Sequence, residues 1–199
     1  MIAICGCNLI ASPIDDLASP SQETRDAAAK ILRTTYVPPS KTNWDALLSQ
    51  LKVGDNMTNV EKLLHEYNAE PSSEIGNKTG KTGYSGYRLD DLWMLKCDFE
   101  SDESSNERNL IKYEFYATLR RIWVAPPLNF TGEWSVYFVN GQMCNEINYK
   151  DGQYFGEFIA FNPDGSKMCL QHYISGTLVD DLEFNKDGTT NYFKDYTNQ

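Results

Sequence analysis

The residues able to do chemistry are few, and their spacing does not suit it. Gly76-Asn77-Lys78-Thr79-Gly80-Lys81-Thr82 has the composition of a phosphate-binding loop. That loop needs four residues between its glycines, so that successive N–H groups wrap the phosphates, and a strand in front of it. Here three residues intervene, Ile75 stands where the first glycine belongs, and the segment follows a helical pattern. It reads as a plain Gly/Lys/Thr loop. The two histidines, His65 and His172, are far apart in sequence, and Cys5-Gly6-Cys7 lacks partners for a four-ligand zinc site. Adjacent carboxylates occur at Asp15-Asp16, Asp90-Asp91 and Asp180-Asp181. Neighbours on a strand point to opposite faces, so such pairs do not make an acid/base dyad, and turn or solvated-face roles are expected. There is neither a Gly-x-Ser-x-Gly elbow nor a cysteine placed beside a histidine. The expectation is a non-enzymatic protein with no cofactor and no metal.

The totals narrow the partners. The chain has 199 residues, 41% of them hydrophobic, and a formal charge of −10. It can bury a core. Its charge opposes nucleic-acid phosphate and a purely electrostatic hold on anionic lipid, which leaves protein partners. No apolar run is long enough to span a bilayer as a helix. Five cysteines (Cys5, Cys7, Cys97, Cys144 and Cys169) are too few for a disulfide framework. Ile4-Cys5-Gly6-Cys7 resembles a bacterial lipobox, which makes Cys7 a lipidation candidate. A signal segment needs a basic start and roughly 7–15 apolar residues before the cysteine. Only six residues precede Cys7. Either translation starts upstream of Met1, which would place the protein in the cell envelope on a lipid anchor, or the match is chance and the protein is cytoplasmic. Residues 1–18 read as a tether, with Ala11-Ser12-Pro13-Ile14 and Ala18-Ser19-Pro20-Ser21 as its polar joints.

The elements behind these residues fall into two groups, 19–125 and 128–199. In the first, Ser19, Pro20 and Gln22 predict a helix start with a capping box, and Pro38-Pro39 a stop after about Thr35. The apolar face of this helix (Ala28, Ile31, Leu32) is thin, so peripheral packing is expected. Trp44, Leu47, Leu48 and Leu51 make a helical stripe ended by Gly54, and Val60, Leu63, Leu64 and Tyr67 make another, begun by Thr58 with Glu61. Together they predict an αα-hairpin. A loop is expected from Asn68 to Gly83. Trp93, Leu95, Cys97 and Phe99, then Ile111, Tyr113, Phe115 and Ala117, alternate as two half-buried strands, with an acidic loop from Glu100 to Glu107 between them. The hairpin laid on this small antiparallel sheet gives an α+β unit.

The second group is a repeat. Gly132-Glu133-Trp134-Ser135-Val136-Tyr137 recurs 24 positions later as Gly156-Glu157-Phe158-Ile159-Ala160-Phe161, and Tyr149 and Gly152 recur as Tyr173 and Gly176. Asn140-Gly141, Asp151-Gly152, Asp164-Gly165, Ser175-Gly176 and Asp187-Gly188 punctuate an antiparallel meander of about six short strands. Trp134 and Tyr137 lie three residues apart, as do Phe158 and Phe161, so each strand must carry a bulge or aromatics on both faces. Cys144 and Cys169 are 25 apart, one off the period, which puts them on opposite faces and predicts no disulfide between them.

These repeats resemble MORN-type repeats, in the variant of the YwqK-like antitoxin family. Gly132, Tyr137, Gly141, Tyr149, Gly152, Gly156, Phe161, Gly165, Tyr173 and Gly176 carry the match, which frays where Asp180 takes the place of a glycine. The resemblance implies a curled antiparallel sheet that binds proteins, self-associates or contacts lipid. More loosely, residues 44–117 resemble the SmpA/OmlA (BamE-like) envelope lipoproteins and β-lactamase-inhibitor-like domains, through Gly54, Met57-Thr58, Val60 and Leu63-Leu64, with Asp55-Asn56 intruding. The variable positions Gln142, Asn145, Asn148, Lys167, Gln171 and His172 form the candidate binding face. Two readings follow. One is a protein-binding or assembly module on an envelope lipoprotein. The other is a cytoplasmic antitoxin or immunity protein whose acidic charge meets a basic toxin.

Overall fold

A computed structural model describes residues 12–72, 82–101 and 107–197. The chain is an α+β protein in two units, one built from residues up to Tyr36 together with Arg121 onward, the other from Val37 to Arg120. The expected 19–125 segment is thus divided at Tyr36, and its first helix belongs with the repeats.

The 37–120 unit follows the expected stripes. Its elements are a 3₁₀ turn (Lys41–Trp44) running into α3 (Asp45–Leu48), α4 (Met57–Glu66), and a four-stranded antiparallel sheet of β1 (Glu70–Pro71), β2 (Thr82–Arg88), β3 (Trp93–Ser101) and β4 (Arg108–Ala117). The helices preceding α3 are α1 (Pro13–Asp16) and α2 (Gln22–Thr35). Leu47, Leu51, Val60 and Leu64 share one core with Leu95, Cys97, Phe99 and Leu110, so the helical stripes lie on the sheet. Four details differ from expectation. Asn56, not Thr58, caps α4, its side-chain oxygen accepting from the Thr58 N–H at 2.8 Å. The helix of the first stripe ends at Leu48, and Gly54 comes later, at φ +99°, donating to the Leu110 carbonyl. The sequence Thr82–Arg88 forms a strand where a loop was expected up to Gly83. A bulge between Asp98 and Phe99 sets Phe99 opposite Leu110, so Leu110 is fully buried and Ile111 is 42% exposed. Asp90-Asp91 has the expected turn role. Asp90 accepts from the Leu92 and Trp93 N–H groups and from the Trp44 indole, and Asp91 pairs with Arg120. The phosphate-loop mimic lies outside the described residues except for Thr82.

The other unit is a seven-stranded antiparallel meander in the order β11-β10-β9-β8-β7-β6-β5: β5 (Arg121–Ile122), β6 (Gly132–Phe138), β7 (Met143–Lys150), β8 (Gln153–Phe161), β9 (Lys167–Ile174), β10 (Thr177–Phe184) and β11 (Thr190–Asp195). Within 12–18, expected as tether, Ser12 caps α1 and Leu17 is fully buried. Helix α2 is not peripheral. Arg25, Ala28, Ala29 and Leu32 form a buried stripe, while Ile31 is half exposed. Its cap is Ser21 rather than Ser19. Gln22 serves the sheet instead of a capping box, accepting from the Ser135 N–H at 3.0 Å, while Arg25 Nε donates to the Ser135 carbonyl at 3.2 Å. Among the described residues, the outer edge of β6 has no strand neighbour beyond the two residues of β5, and these two side chains satisfy the Ser135 backbone instead.

Candidate interaction surface

The repeat is physical as well as textual. The pairs Gly132↔Tyr149, Trp134↔Ile147, Val136↔Asn145 and Tyr137↔Met143 on β6/β7 recur 24 residues on as Gly156↔Tyr173, Phe158↔Gln171, Ala160↔Cys169 and Phe161↔Lys167 on β8/β9. The bulge recurs too, between Val136 and Tyr137 and between Ala160 and Phe161. Its extra residue is on the partner strand, Cys144 on β7 and Met168 on β9, so β6 and β8 keep their alternation and the three-residue spacing puts Trp134 and Tyr137 on opposite faces, Trp134 in the ring cluster and Tyr137 against Asp26. On β10/β11 the same ladder appears 23 residues on, as Asp181↔Lys194, Leu182↔Phe193, Glu183↔Tyr192 and Phe184↔Thr190. The lost residue is the counterpart of Gly156. Between Tyr149↔Tyr154 and Ile147↔Phe158 three β8 residues face one on β7, whereas between Tyr173↔Leu178 and His172↔Asp180 only Val179 is extra. The glycine missing near Asp180 is therefore a deletion, and the wide bulge becomes a one-residue bulge.

The repeat residues occupy structural places. Gly141, Gly152, Gly165 and Gly176 hold the turns at φ between +79° and +87°. Gly141 is also a close approach, since a Cβ there would lie 2.3 Å from the Ala29 carbonyl oxygen of α2. Gly132 and Gly156 have positive φ inside the strands. Tyr137 is buried and donates from its hydroxyl to Asp26. Burial, helped by that carboxylate, pushes the Tyr137 phenol up to about 12. Tyr149 and Tyr173 join Phe130, Trp134, Tyr154 and Phe158 in one continuous ring cluster, edge-to-face except for the tilted Tyr154–Phe158 pair, with centroids 5.1–6.5 Å apart. Phe161 is half-buried beside Lys167.

The six candidate binding residues do not share one surface. Asn145 is 9% exposed, between Val136 and Ala160, and accepts from the Cys144 thiol. Gln171 is on the ring-cluster face, opposite Phe158, and His172 is on the reverse face. Asn148 is on that reverse face, donating to the Glu157 carbonyl. Lys167 is exposed opposite Phe161, and Gln142 belongs to the Gly141 turn, its N–H donating to Asn140. Cys144 and Cys169 are on opposite faces, as their spacing predicts, and both are free thiols. Asp180 and Asp181 likewise diverge, one toward His172 and the other toward Gln171. Cys7 lies outside the described residues.

The reverse face carries an array not expected from the sequence. The residue after each repeat glycine is a carboxylate, Glu133, Glu157 and then Asp180 after the deletion. Register brings these into one row with Asn148 and His172 on the strands between and Asp195 on the last strand. The 24-then-23 offset is the signal that finds it. His172 Nδ1 lies 2.6 Å from Asp180 Oδ1 and Nε2 lies 3.6 Å from Glu157 Oε1. The hydrogen bond to Asp180, then the two negative charges, hold the His172 imidazole above its ordinary value. Glu146, one row along, is also raised, first by burial and then by Glu133 and Glu157, with Lys167 opposing. Beside the row run Ile159, Leu170, Leu182 and Phe193, paired in succession across β8 to β11.

Elsewhere a cavity of about 320 Å³ in the 37–120 unit is lined by Glu61, Leu64, His65, Ser85 and Tyr87 among others. Among the described residues no cluster of three metal-ligating side chains occurs, and no helix is long and apolar enough to cross a membrane. No family model, curated protein or solved structure matches the chain.

Proposed function

We propose that the protein is a non-catalytic binding or assembly module whose working surface is the outer part of the repeat sheet. One observation carries this reading. Burial declines across the sheet, from β6, where Trp134 through Val139 are all buried, to the stretch from Phe161 to Thr197, which contains no buried residue among those described. A sheet becomes stable by covering at least one face. Three regular strands that bury nothing fully, and that expose Phe193 and Tyr192, offer surface to a second molecule. The ring cluster thins in the same direction, leaving Tyr154, Phe158 and Tyr173 half-buried. The resemblance to MORN-type repeats supports a protein partner, and the net charge of −10 works against nucleic acid. Placement on an envelope lipoprotein through Cys7 stays part of this proposal.

The test is photo-crosslinking in native cells, from the full chain carrying a benzophenone amino acid in place of Met168 or Phe193, with Val53 in the other unit as control. Adducts to a protein at the first two positions and not at the third are expected. Equal adducts at all three, or none, would remove the reading.

The second reading, an antitoxin or immunity protein, is favoured by one feature, the row of carboxylates on an exposed sheet face. Co-expression with the product of the adjacent gene tests it. Rescue of growth supports it, and toxicity unchanged by co-expression counts against it.

A further inference from the structure

We infer that the reverse face of the repeat sheet docks a basic amphipathic helix of a partner protein. This rests on the binding-module reading and names the chemistry of its partner. Two parallel rows define the face. One is acidic: Glu133, Glu157 and Asp180 stand on every second strand, with Asp195 on the last. The other is apolar: Ile159, Leu170, Leu182 and Phe193 follow one another across β8 to β11. The counter-charges near the acidic row are His172, between Glu157 and Asp180, Lys167 near Glu146, and Lys150, two residues past Asn148 on β7. They leave the row net negative.

The spacings select the occupant. Strands are about 4.8 Å apart, so carboxylates on alternate strands repeat roughly every 10 Å, and the two rows, two residues apart along each strand, are separated by about 7 Å. A helix rises about 10.5 Å in seven residues. Laid across the strands, it can set Lys or Arg at i, i+7 and i+14 over Glu133, Glu157 and Asp180. The neighbouring stripe of the same helix then rests on Leu170, Leu182 and Phe193. Charge complementarity of this kind speeds encounter and fixes orientation, and the exposed Phe193 supplies an anchor. Nucleic acid and anionic lipid are both repelled by the same row.

The experiment titrates the full chain with a fluorescein-labelled 18-residue helical peptide bearing leucine and lysine on adjacent stripes. A second peptide replaces each lysine with glutamate. The lysine peptide is expected to bind, more weakly as salt rises. E133Q/E157Q/D180N, shown by circular dichroism to remain folded, is expected to weaken it roughly tenfold and to flatten the salt dependence. F193S, at a residue already 60% exposed, is expected to weaken it several-fold without altering the salt dependence. Equal binding of the glutamate peptide, or parental affinity in the triple variant, overturns the inference. A partner crosslinked at Met168 or Phe193 together with a failed titration removes the basic helix and keeps the module. Peptide binding with no crosslinked partner does the reverse.

Discussion

Arg25 Nε donates to the Ser135 carbonyl across 110 residues of sequence, and the guanidinium carbon rests 3.8 Å from the centre of the Trp134 ring. Its Nη1 also donates to the Ser19 carbonyl at 2.7 Å. The side chain is fully buried, and burial lowers its pKa against the opposing pull of Asp26. Together with Gln22, which takes the Ser135 N–H, it does for this residue of the β6 edge what a neighbouring strand would do.

Arg25→Ala should therefore cost about 3 kcal/mol, because it leaves the Ser135 carbonyl without its partner and removes a ring contact. Gln22→Ala, which frees the Ser135 N–H and also removes the amide's bonds to Arg25 Nη2 and Asp26, should cost about 1–2 kcal/mol. Urea midpoints followed by tryptophan fluorescence check both. Equal small effects would mean that water satisfies the edge as well as the helix does.

Gly141→Ala should be far worse than Gly188→Ala. The two glycines have nearly the same φ, +80° and +82°, so each substitution carries the left-handed cost of about 1 kcal/mol. Only Gly141 also meets a backbone atom, the Ala29 carbonyl oxygen at 2.3 Å, whereas nothing lies within 4 Å at Gly188. The extra cost should be about 2 kcal/mol or more, from forcing α2 away from the turn. Thermal unfolding of the two variants gives the comparison.

That close approach shows where the sequence was legible and where it was not. The period of 24 was readable because turn glycines and aromatics recur at matching offsets, and the register reproduces it pair for pair. The place of α2 was not. A stripe of Arg25, Ala28, Ala29 and Leu32 looks weak by hydrophobicity, yet small residues are what permit a helix to touch a glycine turn. Thr82–Arg88 was missed as a strand because Gly83, Ser85 and Gly86 hide its alternation. Leu110 and Ile111 exchanged roles because a bulge leaves no mark in a single strand. The acidic row escaped notice because its third member is 23 residues from the second, and only pairing across strands reveals the deletion.

His172 should titrate above the ordinary histidine value, because Asp180 and Glu157 favour its charged form. The folded pKa exceeds the unfolded one, so the stability it contributes is fully present below about 6.5 and is lost as pH rises through the folded value. Nuclear magnetic resonance of the imidazole protons reads this directly, and Asp180→Asn should bring the pKa down. A titration unchanged by D180N would show that the 2.6 Å pair does not form in solution.

The thiols should react in order of burial. Burial pushes Cys97 up to about 12 and Cys144 up to about 11, and both are closed to solvent, while Cys169 is half-exposed. Of the three described cysteines, iodoacetamide at pH 8 should label Cys169 first and reach Cys97 and Cys144 only after denaturation. Peptide mass spectrometry of a time course checks the order, and early labelling of Cys97 would contradict it.

The absence of any buried residue from Phe161 to Thr197 also sets how the sheet comes apart. Each outer strand is held by its ladder and its immediate neighbour, as in a one-dimensional chain of coupled units. Opening should begin at β11 and travel inward, strand by strand, until it meets the covered part of the sheet at β6 and β7. Hydrogen exchange would then show a staircase of protection rather than one cooperative step. A bound molecule would act as the missing terminal unit, flattening that staircase from its far end.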